Sequence, residues 1–253
     1  MERIKIIHEP TVEKPFLVLD KPKGLPSAPL KEDDFDNAFS QAAELFPQLL
    51  NVHGKKEIEH GLLHRLDTAT DGLIVIAASQ ECYDFLSREQ EEERFIKTYT
   101  AECDINTENA DALGGFPPEQ PDFTDSKIKA VSYFRPYGQG RKEVRPVTEN
   151  SGKAALSKLG KAKLYTTEIE ITKISEIKVR AICHISQGFR HQVRCHLAWA
   201  GFPVCGDTLY NANVRNMDED KKNAEKLLFS ASAISFEYPR GDLNSYDRKD
   251  TWT

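Results

Sequence analysis

The sequence has few of the features that mark membrane, secreted or disulfide-stabilised proteins. No apolar run reaches the length of about 18 residues that a transmembrane helix needs, so no membrane span is expected. The N-terminal residues, MERIKIIHEPTVEKP, hold no apolar stretch of signal-peptide length. The five cysteines are odd in number and lie mostly within apolar patterns. Because reduced, packed thiols are typical of a reducing compartment, we expect a cytoplasmic protein.

The chain also lacks the ligand spacing of a structural zinc site. Residues 183–205 contain enough candidate ligands for one ion: Cys183, His184, His191, Cys195, His196 and Cys205. However, no C-x-x-C or H-x-x-x-H pair occurs among them. A helix across this region explains the spacing of His191 and His196 better, so a zinc-binding module is retained only as an alternative and no metal is expected.

The chain as a whole has no excess of basic residues, but one segment of it does. The net charge is −6, which by itself argues against a nucleic-acid partner. Residues 1–126 carry 12 Lys and Arg against 26 Asp and Glu, whereas residues 127–194 carry 15 against 5. A basic block in an acidic chain is the footprint of a phosphate-binding face, although a solvated basic surface gives the same count.

The most informative stretch is residues 61–77, GLLHRLDTATDGLIVIA. Its apolar end reads as a buried strand, and Asp71-Gly72 suits a tight turn with positive φ. Arg65 and Asp67 are therefore expected at the edge of a buried sheet. A carboxylate in such a place requires an arginine or backbone donors, which would make Asp67 a positioned carboxylate. The alternative is a purely structural Asx-turn residue beside Arg65.

The remaining periodicities predict an α+β fold with a mixed, mainly antiparallel sheet, flanking helices and long loops. Strands are expected at residues 4–7, 16–19, 96–103, 164–171, 177–183 and 227–236. Helices are expected after an Asp36 cap, from a Ser79 cap to about Arg94, and between Gly188 and Gly201. Residues 104–126 and 134–147 are predicted as long irregular connections, and residues 241–253 as a polar tail.

The second connection, residues 134–147, combines basic and aromatic side chains. It carries four basic residues, Arg135, Arg141, Lys142 and Arg145, with aromatic residues beside them. Aromatic rings can stack on bases while cations contact phosphates. Residues 134–147 are therefore a candidate RNA-gripping loop.

Several blocks resemble one enzyme family. HRLDTATDGLIVIA is similar to the HRLD-x-x-T-S-G-L signature of RluA-type pseudouridine synthases, and VLDKPKGLPSAP to their NKP-x-G-L loop. The strand at 96–103 resembles their K-x-Y strand, and residues 187–210 their G-R-[ST]-H-Q-[IL]-R-x-H … G-x-P-x-x-G-D-x-x-Y block. The resemblance spans roughly residues 16–240. Asp20 replaces the usual asparagine, Asp71 the usual serine, and Phe189-Arg190 the usual Arg-[Ser/Thr].

The resemblance implies a pseudouridine synthase fold over a single catalytic domain, residues 1–253. No segment resembles the separate N-terminal RNA-binding domain that many relatives carry. It implies isomerisation of uridine in ribosomal or transfer RNA, with Asp67 as the nucleophile and no cofactor. Asp67 must be ionised for this role, and a neighbouring cation favours the charged form. By resemblance Arg194 supplies that cation, while Tyr99 stacks on the base and assists loss of the C5 proton.

Further residues of the matching motifs become candidates for substrate binding: Lys21, His64, Arg65, Arg190, His191 and Gln192. Lys21 and Lys23 could equally belong to a simple turn. RNA is the expected partner, and a monomer is the default. A catalytically silent RNA-binding relative is the remaining alternative. The motifs leave open which uridine is modified and whether Asp67 attacks the base or the sugar.

Overall fold

The computed structural model describes residues 3–31, 33–157, 159 and 163–248 and shows a mixture of strands and short helices. The strands are β1 (Lys5–His8), β2 (Phe16–Lys21), β3 (Asp71–Ala77), β4 (Ile96–Asp104), β5 (Asp122–Thr124), β6 (Lys127–Tyr137), β7 (Glu143–Val147), β8 (Tyr165–Lys173), β9 (Lys178–Ile185), β10 (Phe229–Glu237) and β11 (Leu243–Asp247). The helices are α1 (Ala38–Leu45), α2 (Gln80–Glu91), α3 (Asn109–Leu113), α4 (Lys153–Leu156), α5 (Gln192–Trp199), α6 (Ala212–Arg215) and α7 (Glu219–Ala224). The predicted α+β class is confirmed.

The chain divides into two compact units, residues 1–98 with 230–253 and residues 99–229. In the first unit, β2 pairs antiparallel with β1 and β3, and β10 runs parallel to β3 and antiparallel to β11. In the second, β9, β8 and β6 are successive antiparallel neighbours, and β5 and β7 also pair with β6. The expectation of a single catalytic domain remains a prediction.

The core of the first unit forms around β3 because residues 73–77 of the strand are apolar without interruption. Leu73, Val75 and Ala77 belong to a cluster that includes an aromatic group, Phe16, Phe95 and Phe236. The ring of Phe236 lies 5.1 Å from that of Phe16 and 4.9 Å from that of Phe95. Pairs of aromatic rings at such distances add about 0.5–1.5 kcal/mol beyond the burial of their area.

The predicted helices of the first unit are present with small differences at their ends. The Ser79 hydroxyl accepts a hydrogen bond from the backbone N–H of Cys82, as expected for a cap, but α2 ends at Glu91. The cap of α1 is Asn37 rather than Asp36, because the Asn37 side chain accepts from the N–H of Ser40 at 2.9 Å.

The prediction of an irregular loop at 134–147 is wrong. Residues 127–137 and 143–147 form the β6–β7 hairpin, and the glycines that suggest a loop, Gly138 and Gly140, provide positive φ at its tip. Arg145 is fully buried: it pairs with Glu143 at 2.8 Å and stacks on aromatic rings. Its guanidinium carbon lies 4.3 Å from the ring centroid of Tyr137 and 4.5 Å from that of Phe116. Residues 104–126 contain α3 and β5, so that connection is also partly regular.

The prediction of a polar tail at 241–253 is also wrong where the structure describes it. Residues Leu243–Asp247 form β11, which pairs antiparallel with β10 and is more buried at every second residue. Tyr246 packs against the aromatic core, and Asn244 is buried. Residues 249–253 of the predicted tail lie outside the described residues.

Two expectations from composition can be compared with the structure. All five cysteines are buried and none is in a disulfide, which confirms the prediction of packed thiols. None of the helices within the described ranges is both long and apolar enough to span a bilayer.

The side chain of Asn244 should hold β11 in place. Its amide donates to the carbonyls of Tyr238 and Asp242, both at 2.9 Å, and its oxygen accepts from the Lys14 ammonium at 2.7 Å. Asn244→Ala should lower the free energy of unfolding by about 1–3 kcal/mol, because buried polar partners lose their hydrogen bonds. The exposed neighbour Ser245 provides the control. If urea unfolding showed equal stability for Asn244→Ala and Ser245→Ala, the strand would not contribute as described.

Candidate active site

Asp67 lies in a turn that precedes the buried strand β3. The chain first runs beside the far end of β3, where the Ala77 N–H donates to the Gly61 carbonyl at 2.8 Å and the Leu63 N–H to the Val75 carbonyl at 3.2 Å. It then reverses through residues 67–70, closed by a hydrogen bond from the Thr70 N–H to the Asp67 carbonyl at 2.9 Å. Asp67 itself is half-buried. We call residues 66–70 the Asp67 turn.

The packing requires a glycine at the start of β3, directly after the turn. Gly72 has φ +127°, and a Cβ on it would lie 2.2 Å from the backbone oxygen of Ala231 on β10. An alanine would therefore collide with the neighbouring strand. The predicted positive φ is confirmed at Gly72, but the tight turn lies at residues 67–70 and Asp71-Gly72 begins the strand. The glycine allows β3 and β10 to approach each other closely.

The loop at residues 21–27, which carries the second family-like motif, holds the Asp67 turn in place. The buried Ser27 hydroxyl donates to the Leu66 carbonyl at 2.7 Å and accepts from the Leu66 N–H at 2.9 Å. The Gly24 N–H donates to the Thr68 carbonyl at 2.8 Å. Backbone groups on both sides of Asp67 are thus bound by one loop.

The buried ammonium of Lys21 binds carbonyl groups of both the loop and the Asp67 turn, so it is not available to a phosphate. Its side chain is fully buried, and its ammonium donates to the carbonyls of Pro22 at 2.9 Å, Leu25 at 2.7 Å and Thr68 at 3.4 Å. Burial lowers the pKa of Lys21 to about 8, and the charges of Asp71, Asp67 and Asp20 oppose that fall. The predicted contact of Lys21 with RNA is therefore corrected to a positioning role.

The two residues before Leu66 face different surroundings. The Nε2 atom of His64 accepts from the Val75 N–H at 3.3 Å, and its ring packs edge-on to Phe95. Burial, with the nearby Lys97 charge, lowers the pKa of His64 to about 3, so the ring is neutral at pH 7. This gives His64 a structural role rather than the predicted substrate contact. Arg65 is half-exposed and pairs with Glu59 at 2.9 Å, which leaves part of its guanidinium facing solvent.

In the second unit, Tyr99 lies on the buried face of β4. Only 8% of its surface is exposed, and its ring stacks on that of Phe229 with centroids 5.1 Å apart and planes 5° from parallel. The alternation of buried and half-buried residues along β4 confirms the predicted strand. A flat, supported aromatic ring of this kind suits stacking against a planar base.

Arg194 is held in the same unit by Asp207. Its Nε and Nη2 atoms lie 2.8 Å from the two carboxylate oxygens of Asp207, a bidentate pair, and both side chains are buried. Asp207 also accepts from the N–H groups of Leu209 and Tyr210, at 2.9 and 3.0 Å. Burial by itself would raise the pKa of Asp207, but Arg194 and these amides hold it below its usual range. The guanidinium is thereby fixed in orientation.

The turn before α5 contains the other candidates of this block. The helix begins at Gln192, after His191 with φ +58°, so Arg190 and His191 precede it. His191 Nδ1 lies 3.0 Å from the Tyr210 hydroxyl. The Gln192 amide donates to the Thr166 carbonyl and the Thr167 hydroxyl at 2.9 and 3.1 Å. Because Gln192 is also buried, we assign it to holding this turn rather than to the substrate.

The unusual Phe189-Arg190 pair is accommodated by the β6–β7 hairpin. Phe189 stacks on Phe134 of β6, with centroids 5.0 Å apart and planes 4° from parallel. Arg190 is exposed, and its Nη2 donates to the carbonyls of Arg141 at 2.7 Å and Glu143 at 3.3 Å. The departure from the family pattern therefore places a partly buried aromatic ring against the core of the second unit and a cation beside the hairpin tip.

The possible zinc ligands are accounted for by other contacts. Within the described ranges, no three His, Cys, Asp or Glu side chains are grouped as a metal site would need. His196 lies between hydroxyl groups, 2.9 Å from Ser132 and 2.8 Å from Thr167, and the Cys195 thiol donates to the Val144 carbonyl at 3.4 Å. Burial lowers the pKa of His196 to about 3, consistent with a packed neutral ring.

The positioning roles of Asp207 and Ser27 are not predicted from the sequence. Asp207 belongs to the G-D pair in the family-like block, and its fixed spacing from Arg194 in that block is the sequence feature that could have indicated its role. Ser27 lies after the glycine-proline loop and shows no distinguishing pattern; its double hydrogen bond to Leu66 depends on a fold that brings residues 39 positions apart together.

The chain is similar to known proteins over most of its length. Residues 15–199 match the family model described as RNA pseudouridylate synthase. The chain is 25% identical to tRNA pseudouridine(31) synthase of Saccharomyces cerevisiae over 219 residues, which cover 83% of this chain and 48% of that protein. It is also 25% identical to the dual-specificity RNA pseudouridine synthase RluA of Escherichia coli over 226 residues, 88% of this chain and 84% of that protein. The chain thus spans about half the length of the yeast relative.

Solved structures support the fold. The human RNA pseudouridylate synthase domain containing 1 superposes with a TM-score of 0.65 at 16% identity, covering 100% of this chain and 85% of that one. The human RNA pseudouridylate synthase domain containing 4 gives a TM-score of 0.61 at 18% identity, covering 96% and 87%. The predicted pseudouridine synthase fold is confirmed.

Replacement of Asp207 should show how strongly the Arg194 pair stabilises the second unit. Asp207→Asn leaves a buried guanidinium without its counter-charge, so the free energy of unfolding at pH 7 should fall by about 3–5 kcal/mol. Asp218→Asn, which alters an exposed pair with Lys221, should change it by less than about 1 kcal/mol. Urea unfolding followed by circular dichroism measures both.

The same pair predicts a pH dependence. Because the pKa of Asp207 is depressed on folding, its stabilisation is complete above the ordinary carboxyl pKa of about 4 and is lost as the pH falls through the folded-state value. Wild-type stability should therefore decline in acid more steeply than that of Asp207→Asn. Parallel acid profiles for the two proteins would contradict the pairing.

Proposed function

Because this chain belongs to the RNA pseudouridylate synthase family, we propose that it isomerises specific uridines in ribosomal or transfer RNA to pseudouridine. The observation that carries the proposal is the Asp67 turn, whose backbone is bound on both sides of Asp67 by the loop at residues 21–27. One relative is named as a transfer RNA pseudouridine synthase and another as a ribosomal large subunit pseudouridine synthase, so both classes of RNA are candidates.

The reaction rearranges one nucleotide and needs no redox or group-transfer partner. The bond between C1′ of the ribose and N1 of uracil breaks, the base rotates, and C1′ bonds to C5. The C5 proton is lost and N1 gains a proton, so the product is an isomer of the substrate. The enzyme must bind an extruded nucleotide, form and release a covalent link, and move one proton.

We assign the nucleophile to the carboxylate of Asp67. The loop at residues 21–27 fixes the backbone of the Asp67 turn through hydrogen bonds on both sides of Asp67, and a nucleophile gains rate when it is held in reactive geometry. The buried ammonium of Lys21 is near enough for its charge to interact with Asp67. The carboxylate can attack either the base or the sugar in this scheme.

Tyr99 and Arg194 complete the proposed catalytic set. The family resemblance assigns Arg194 as the cation that favours ionised Asp67, and its rigid attachment to Asp207 supports a fixed charge rather than a mobile one. The resemblance assigns Tyr99 to stacking on the base and assisting the loss of the C5 proton. Its stacking on Phe229 supports a ring that stays in one plane.

The tip of the β6–β7 hairpin is the RNA-contacting surface that we propose. Arg141 and Lys142 are exposed there, and Arg190 lies beside them. The described part of the chain supplies none of these three cations with a carboxylate partner, so their charges are available to phosphates. We define Arg141, Lys142 and Arg190 as the basic tip. Arg65 and His191 remain candidates for contact with the nucleotide itself.

Location and oligomeric state complete the proposal. The five buried thiols support a reducing, cytoplasmic compartment, and we propose that the protein acts there as a monomer.

The first test is modification by an Asp67 variant. Asp67→Asn should lower the rate of pseudouridine formation by at least about 1,000-fold, the scale of effect seen when a catalytic group is removed. RNA affinity should be unchanged, because the substituted amide has the same shape. Total RNA from cells without the gene, complemented with wild type or variant, is mapped by carbodiimide treatment and primer extension, and a missing signal identifies the substrate. RNA binding by the purified proteins is measured by filter retention.

Asp84→Asn, an exposed residue of α2 in the same unit, is the matched control and should restore the signal fully. If wild-type protein restored no signal in any RNA but still bound RNA, the silent RNA-binding alternative would replace the enzyme. If Asp67→Asn restored the signal, the nucleophile would have to be another residue.

A second test concerns the basic tip. Arg141→Gln with Lys142→Gln should weaken RNA binding and make the dependence of log affinity on log salt shallower by about 0.7–0.9 for each phosphate that the variant no longer neutralises. The control removes two exposed lysines elsewhere in the unit, Lys129→Gln with Lys153→Gln. Fluorescence anisotropy with labelled RNA across a salt series measures both slopes. Equal slopes for the two double variants would exclude the tip as the RNA-binding surface.

A further inference from the structure

A partly buried charge cluster lies beside the Asp67 turn and takes no part in the chemistry proposed for Asp67. Arg248 follows β11 and reaches strands from three parts of the sequence. Its Nε donates to Asp20 at 2.8 Å, and its Nη1 donates to Asp71 at 2.9 Å and to the Ser230 hydroxyl. The Arg248 N–H also donates to the Ser232 carbonyl at 2.9 Å, which fixes its backbone on β10.

The two carboxylates of this cluster depend on the guanidinium. The side chains of Asp20, Asp71 and Arg248 are 17–19% exposed. Asp20 and Asp71 repel each other: burial raises the pKa of Asp20, the Asp71 charge adds to this rise, and Arg248 opposes it. Among the described residues, the buried Oδ1 atom of each carboxylate has no hydrogen-bond partner, and the Lys23 ammonium approaches that of Asp71 only to 3.9 Å. Removal of Arg248 would therefore leave two like charges poorly solvated and close together.

The cluster is joined to the Asp67 turn by short covalent and hydrogen-bonded paths. Asp71 follows Thr70, whose N–H closes the turn on the Asp67 carbonyl. Asp20 precedes Lys21, whose ammonium donates to the Thr68 carbonyl. The two carboxylates thus mark the points where the turn and the loop at residues 21–27 leave the sheet. The β2–β3 pairing brings the backbones together here, with Lys21 opposite Gly72, and the guanidinium that binds both carboxylates adds a side-chain constraint at the same points.

The chain departs from the family pattern at both carboxylates. Where asparagine and serine are usual, it has Asp20 and Asp71, and Arg248 supplies the opposite charge. We infer that Arg248 is a positioning residue for the Asp67 turn, and that Asp20, Asp71 and Arg248 act together in place of a neutral pair. This inference rests on the proposed function, because its main readout is the rate of the reaction.

The test separates positioning from simple stabilisation. For Arg248→Met, kcat measured well below the unfolding temperature should fall by about tenfold or more, while KM changes by less than about threefold. Arg248→Lys keeps the charge but cannot bind both carboxylates as a fork, so its kcat should be intermediate. The assay follows tritium release from RNA that carries tritium at C5 of uridine, with total cellular RNA from cells lacking the gene as substrate.

Lys14→Met is the matched control. Lys14 also ties the β11 region to the sheet, through Asp242 at 3.1 Å and Asn244 at 2.7 Å, but it does not contact the loops beside Asp67. It should lower the melting temperature and leave kcat within about twofold of wild type. A loss of kcat in Lys14→Met as large as that in Arg248→Met would mean that any destabilisation of this region has the same effect, and would overturn the inference.

Restoring a neutral cluster gives the second readout. The triple variant Arg248→Met, Asp20→Asn, Asp71→Ser removes the uncompensated charges, and its kcat should recover to within about threefold of wild type. The inference fails if kcat of Arg248→Met equals that of wild type, or if the triple variant is no more active than Arg248→Met. Inactive wild-type protein would instead refute the proposed function, so the two failures are distinguishable.

Discussion

The hydrogen bonds between the loop at residues 21–27 and the Asp67 turn are the constraint on which the proposed chemistry depends. They are made by backbone groups, the Ser27 hydroxyl and the Lys21 ammonium, so they fix the path of the chain through the neighbours of Asp67, Leu66 and Thr68. Both segments continue into strands, β2 and β3, that are buried in the core. Displacement of a reacting group by about 1 Å can cost about 100-fold in rate. The core of the first unit is thus the support of the proposed nucleophile as well as a source of stability.

Much of the fold could be predicted because its signals are local. Residues 73–77 of β3 are an unbroken apolar run, β4 alternates with a period of two, and Ser79 caps α2 through a hydrogen bond to a residue three positions away. Each of these features is decided by neighbours in the sequence, and each is present in the structure. The family resemblance adds the residues of the site, since no local pattern distinguishes the carboxylate of Asp67 from that of a structural turn.

The errors concern residues whose partners are distant in sequence. The β6–β7 hairpin resembles an irregular loop because glycine, proline and charged residues are typical of loops, yet Arg145 is buried against the ring of Phe116 and donates to the Gly114 carbonyl, 31 positions away. Arg248 falls within the predicted polar tail, although its carboxylate partners lie 228 and 177 positions away. A pairing over such separations is fixed by the topology of the sheet, which composition does not reveal.

The same cause limits what can be concluded from counting charges. The basic block at residues 127–194 suggests one phosphate-binding face, but two of its arginines, Arg145 and Arg194, are buried and bound to carboxylates within the second unit. In the first unit, Lys21 is buried as well. Cations with fixed partners shape the protein around them, whereas exposed cations without such partners remain free to meet a polyanion. Fewer cations of this block can therefore face a polyanion than the sequence suggests, and those of the basic tip are among them, because the backbone of the hairpin holds Arg190 beside Arg141.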